Sequence, residues 1–222
     1  MENGVLSEGP SRPRASQAVA RLEDRRAAYA EEIRRLLDAS FSLIRETGDL
    51  APPVGAIVRR AGLSNQAFYR HFSSKDELLL AVLDEGVGML AGYLAHRMEN
   101  ASDPADRVRA WVAGVLEQAL QPEAAAATRP FAVSRARLAD RFPREVEASE
   151  RQLSRLLADA ISEAAAAGQL ASADPERDAE AVYTLAMGWV QRRLASPEPA
   201  AREEAEHLTA FALRGLGARD GA

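Results

Sequence analysis

The chain has no cysteine among its 222 residues, which removes disulfide scaffolds, thiol nucleophiles and thiolate metal sites together. Its only histidines, His71, His96 and His207, are too scattered to suggest a multi-histidine metal centre. No apolar stretch approaches the roughly 20 residues of a membrane span, the longest being Gly86 to Ala95. The acidic start from Met1 to Pro10 lacks the basic and apolar segments of a signal peptide. These absences predict a cytoplasmic protein with no metal and no membrane partner. Lysine is almost missing as well: Lys75 is the only one among 28 basic residues. GC-rich codon usage accounts for that bias and leaves the one retained lysine to be located. Valine, isoleucine and threonine are scarce while alanine, leucine, arginine and glutamate abound, which favours helices over strands. The expected fold is all-α, with 47% apolar residues to fill a core.

Helix signals recur along the chain. Residues 1–20 mix Gly, Pro, Ser and charge without periodicity and are expected to form a flexible arm. Ile33, Leu36, Leu37, Ser40, Phe41 and Ile44 then fall on one face at three- and four-residue steps, up to Gly48. A short helix is predicted from Val54 to Ala61 and another from Ser64 to His71. Ser74-Lys75-Asp76-Glu77 has the form of a capping box and opens a longer helix. Asp103-Pro104, Pro143 and Asp174-Pro175 mark further starts, a separate helix is expected from about Pro130, and a last one ends near Leu216.

The net charge of −5 speaks at first against a nucleic-acid partner, but it is unevenly spread. The window from Leu50 to Lys75 has no acid and carries Arg59, Arg60, Arg70 and Lys75. A solvated run of arginines is one reading; a small phosphate-binding face on an acidic protein is the other. The spacing around Ala61-Gly62-Leu63-Ser64 describes two short helices joined by a tight glycine turn, the helix-turn-helix arrangement.

The run Gly62-Leu63-Ser64-Asn65-Gln66-Ala67-Phe68-Tyr69-Arg70-His71-Phe72, followed by Ser74-Lys75-Asp76-Glu77-Leu78-Leu79, resembles the DNA-binding signature of the tetracycline-repressor (TetR) family of bacterial transcriptional regulators. The resemblance covers about Ile33 to Leu83. It implies a three-helix DNA-binding domain over 21–75 and a larger helical bundle over 76–222 that binds an effector and dimerises. Carried over by position, it implies base contacts from Asn65, Gln66 and Ala67. It implies phosphate contacts from Tyr69, His71 and Lys75, with Arg70 either on phosphate or solvated. Family members commonly place Thr or Ser at the start of the second helix, where this chain has Pro52-Pro53-Val54-Gly55, so the usual contacts there are in doubt. Arg12 and Arg14 in the arm are candidates to enter a minor groove in compensation.

The resemblance further implies an operator of double-stranded DNA, an unidentified small apolar or amphipathic effector, and a homodimer through the last two long helices. Ala181, Tyr183 (or Val182), Leu185, Gly188, Trp189 and Arg192, with Leu208, Phe211, Ala212 and Gly215, supply stripes that suit either a dimer interface or an internal core. Met89, Tyr93, Trp111, Phe131, Phe142, Met187 and Trp189 are candidate cavity residues, each equally explained as ordinary core. Gly86, Gly88 and Gly92 inside one helix suggest a pliable stretch or a ligand's approach. Arg129, Arg135, Arg137, Arg141 and Arg144 suggest an acyl-coenzyme A effector, or else a solvated face paired with Asp140, Glu145 and Glu147.

Two rival classes remain. An enzyme finds little support: Gly86-Val87-Gly88 interrupts a helical stripe, and neither a Gly-x-Ser-x-Gly elbow nor a histidine pair at helical spacing is present. No catalytic residue, metal or cofactor is therefore assigned. A helical adaptor that binds only protein would show no salt-dependent DNA affinity.

Overall fold

The computed structural model describes residues 14–196, 198 and 200–218, and every element among them is a helix. In chain order these are α1 (Arg14–Thr47), α2 (Val54–Ala61), α3 (Asn65–His71), α4 (Lys75–Glu99), α5 (Pro104–Leu120), α6 (Pro122–Arg141), α7 (Pro143–Ala166), α8 (Pro175–Ala195) and α9 (Arg202–Gly215). Short polar side chains supply the starts: Ser64, Ser74, Asp103 and Asp174 each accept a hydrogen bond from the backbone amide three residues on. Pro104, Pro122, Pro143 and Pro175 stand in the first turns of their helices, where an amide would have had no partner.

Two expectations are corrected. Helix α1 begins at Arg14, so residues 14–20 of the expected arm are helical; Arg12 lies outside the described residues. The helix expected from Pro130 begins at Pro122 and passes through Pro130, which is buried inside it. Proline forfeits one backbone bond in a helix interior, a loss on the order of 3 kcal/mol that packing has to offset.

Two cores share one helix. Leu36, Ile44, Ile57, Phe68 and Phe72 form the first with Leu78, Leu79 and Val82 from the start of α4. Leu94 and Met98 from its end join Trp111, Leu157, Ile161, Trp189 and Val190 in the second. The first core thus runs past the expected boundary at residue 75, and it also takes in Leu138 from α6. By length and composition α4 also contains a stretch long and apolar enough to cross a membrane. The ten-residue stretch read from the sequence understated it.

The α2–α3 turn is fixed by geometry at both ends. Gly62 has φ of 63°, the left-handed region where a side chain is strained, and its amide and that of Leu63 close α2 on Arg59 and Val58. Arg35 reaches from α1 to donate to the carbonyls of Ala61 and Gly62, satisfying the helix end with a cation. A Cβ at Gly62 would lie 2.7 Å from the Arg35 guanidinium. Gly62→Ala is therefore expected to lower unfolding free energy by about 1–3 kcal/mol in urea titration, combining left-handed strain with a displaced cap. Gly55→Ala, which meets open space, is the control and should be near neutral.

Candidate nucleic-acid interface and ligand cavity

The reading helix presents one face and buries the other. Asn65, Gln66, Tyr69 and Arg70 are exposed, Tyr69 by 62%. Phe68 and Ala67 turn inward, and the alanine is only 5% exposed. Ala67 therefore packs beneath the helix, off the face that carries Asn65, Gln66 and Tyr69. The i to i+3 step that puts Gln66 and Tyr69 outside necessarily turns positions 67 and 68 inside.

The phosphate candidates divide as well. Lys75 is exposed at the start of α4, where its ammonium donates to the Ala51 carbonyl at 2.6 Å and pins the chain leading into α2. Pro53 occupies the cap position of α2 and no side chain closes that helix start, as the sequence led one to expect. His71 does not present itself to solvent. Its side chain is fully covered, its ring stands edge-on to Tyr29 with centroids 4.2 Å apart, and Nε2 lies 2.5 Å from the Glu32 carboxylate. In this conformation Glu32 and Tyr29 hold the His71 ring off the surface. Its Nδ1 is buried with no hydrogen-bond partner among the described residues.

Glu32 is a residue that sequence reasoning missed. It lies on α1, 38 and 39 residues from the two side chains it binds, Arg70 and His71. Those bonds, His71 first and Arg70 second, hold its carboxyl below the usual glutamate range, so it is ionised at neutral pH. Glu46 similarly takes Arg60 at 2.5 Å. The acid-free window in the sequence is thus partly neutralised in space by carboxylates from α1. Glu32→Ala should free Arg70 and uncover His71. The expected result is stronger non-specific duplex affinity with a salt slope steeper by about one per released cation, read by anisotropy on a random-sequence duplex.

The expected capping box is present in altered form. Ser74 Oγ accepts from the Glu77 amide, but the Glu77 carboxylate reaches Ser73, taking its amide at 2.7 Å and its hydroxyl at 2.6 Å.

Beside the first core lies a cavity of about 590 Å³ walled by α4, α5, α6, α7 and α8, with Phe41 contributed by α1. Met89, Tyr93, Phe131 and Met187 line it. Three candidates do not. Trp111 is fully buried with its indole N–H on the Leu153 carbonyl, Trp189 packs in the second core toward Glu204, and Phe142 lies under the Arg141 guanidinium. Among the glycines of α4, Gly86 borders the cavity, and a Cβ there would touch the Phe41 ring at 3.4 Å; Gly88 and Gly92 face open space. The arginine run offers no converged anion site, since Arg135 pairs with Glu150, Arg141 with Asp76, and Arg137 donates to Ser134.

A family model described as "Bacterial regulatory proteins, tetR family" matches residues 36–82, the segment from the middle of α1 to the first turns of α4. This segment is thus similar to the DNA-binding domain of the TetR family. It is 34% identical over 84 residues to the HTH-type transcriptional regulator BetI of Rhizobium meliloti, covering 37% of this chain and 41% of that one. It is 37% identical over 78 residues to the HTH-type transcriptional activator FasR of Mycolicibacterium smegmatis, covering 35% and 36%. The matches thus span less than half the length of these relatives. The fold extends further: the structure of reduced Escherichia coli NemR superposes with a TM-score of 0.69 at 19% identity, over 86% of this chain and all of that one. The family match covers the second part of α1, α2, α3 and the start of α4, while likeness across α5 to α9 is one of fold.

Proposed function

We propose that the protein is a transcriptional regulator that binds a two-fold operator as a homodimer and is released from it by a small apolar effector. The observation that carries this reading is the solvent-facing Asn65, Gln66 and Tyr69 on a rigidly capped α3 within a TetR-family domain. Side-chain amides in the first turn of a reading helix are placed to make paired hydrogen bonds to a base edge, and the tyrosine hydroxyl to reach phosphate.

The coupling runs through Phe41. This ring belongs to α1 of the reading head, yet it borders the cavity and sits 6.4 Å from the Phe131 ring of α6. An occupant that moves α4 or α6 acts on α1 directly, and the linkage is reciprocal: effector weakens operator, and operator weakens effector by the same factor. The role proposed involves no catalysed reaction, and it requires the compartment that holds the chromosome, the bacterial cytoplasm.

Support for the dimer comes from apolar and small residues left uncovered in one chain. Ala181, Leu185 and Gly188 are exposed along α8, and Phe211 and Gly215 along α9. Recovery of bound fragments from the source genome tests the whole reading. The expected result is a palindrome with half-sites about one helical turn apart or further. No enrichment at physiological salt, with unchanged binding after Tyr69→Ala, would favour a protein-only adaptor.

A further inference from the structure

Tyr183 is the anomaly of the cavity wall. It is only 8% exposed, its ring packs against Trp111, and its hydroxyl has no hydrogen-bond partner among the described residues. The hydroxyl oxygen keeps some exposure, so it is open to water or to the polar group of an occupant. Burial, reinforced by the nearby Glu150 carboxylate and opposed by Arg135, raises the phenol's pKa, so it stays a neutral donor and acceptor at any physiological pH.

The charges around it are already matched. Arg135 pairs with Glu150. Glu117 accepts from Arg97 at 2.6 Å and from the Tyr93 hydroxyl at 2.5 Å, and Arg97 donates to Tyr93 at 2.8 Å. Glu123, the remaining acid of the lining, is exposed in the first turn of α6. An ionic occupant would have to break one of these pairs or stay uncompensated, and either is costly in an apolar pocket. Phe41, Leu83, Leu90, Phe131, Leu153 and Met187 supply much of the apolar surface, and Gln118, Gln121, Thr128, Ser149 and Gln191 add uncharged polar groups.

We propose that this cavity takes an uncharged, mainly apolar molecule of ring-system size bearing one hydroxyl or carbonyl, and that the Tyr183 hydroxyl is its polar anchor. The proposal rests on the reading that the cavity is the effector site. It sets aside a coenzyme A thioester, whose phosphates would find no converged cations here.

The test uses the full chain and N-phenyl-1-naphthylamine, an uncharged dye whose emission rises in apolar surroundings. It is displaced in turn with naphthalene, 1-naphthol, 1-naphthoate and 1-naphthylmethylammonium at pH 7. We expect 1-naphthol to displace the dye at a concentration at least about tenfold below that of either ion, and below that of naphthalene. Tyr183→Phe should erase the advantage of naphthol over naphthalene while leaving naphthalene unchanged. Equal or better displacement by an ion overturns the ligand class. No preference for naphthol over naphthalene on the unaltered chain overturns the anchor, whether or not the variant folds. Failure of the underlying reading looks different: no dye binding at all, or binding that survives filling the cavity by Ala132→Trp or Ala127→Trp.

Discussion

The double variant Asn65→Ala, Gln66→Ala is expected to lose operator affinity by about 30-fold to 10⁴-fold while retaining its fold and its non-specific DNA binding. A bidentate amide contact to adenine discriminates by about 1–3 kcal/mol. One such contact per head, counted twice in a two-fold dimer, gives about 2–6 kcal/mol. Stability should hold because Ser64, not Asn65 or Gln66, closes α3, and alanine is the better helix former at the two exposed sites. Ala67→Gly provides the contrast: that residue is buried, so its effect belongs in the unfolding curve and not in the specificity ratio. Titration of the selected operator against a scrambled duplex at fixed salt separates the two. An unchanged ratio would mean that bases are read from some other element.

Local signals carried most of the fold. Caps, prolines and the glycine turn lie within three residues of the backbone groups they satisfy, so Ser64, Asp103 and Gly62 announce their helices in the sequence. Pro130 misled because proline reads as a start signal, and only the burial of α6 against its neighbours holds the helix through it. The reading helix was legible as a motif but not in its orientation: spacing alone did not say which of Gln66 and Ala67 faces outward. The two residues that most alter the electrostatics, Glu32 and Arg35, act across 26 to 39 residues of sequence. No local pattern marks such partners, because α1 is a plain charged helix until α2 and α3 fold against it. The cavity suffered the same limit. Trp111 and Trp189 looked like ligand residues by type and are core by position, whereas Tyr183 looked like interface and borders the cavity.

If the chain pairs as proposed, Phe211→Arg is expected to yield a monomer and to weaken operator binding by about 10³-fold or more. Phe211 is 55% exposed on α9, beside the open Gly215, and Leu185 and Gly188 are likewise exposed on α8. A buried guanidinium facing its own symmetry mate would be uncompensated twice, a strongly unfavourable arrangement for a two-fold contact. The effect on DNA follows from pairing. Specific operators are bound at about 10⁻⁸–10⁻¹¹ M, so a dimer at 10⁻⁹ M derives about 12 kcal/mol from two heads, and one head alone holds roughly half of that. Sedimentation at micromolar concentration reads the oligomeric state directly. Because the cavity is lined by helices of a single chain, the arginine variant should still bind N-phenyl-1-naphthylamine, which separates loss of pairing from loss of fold. A variant that stays dimeric would move the interface away from α8 and α9 and leave the exposed phenylalanine without a role.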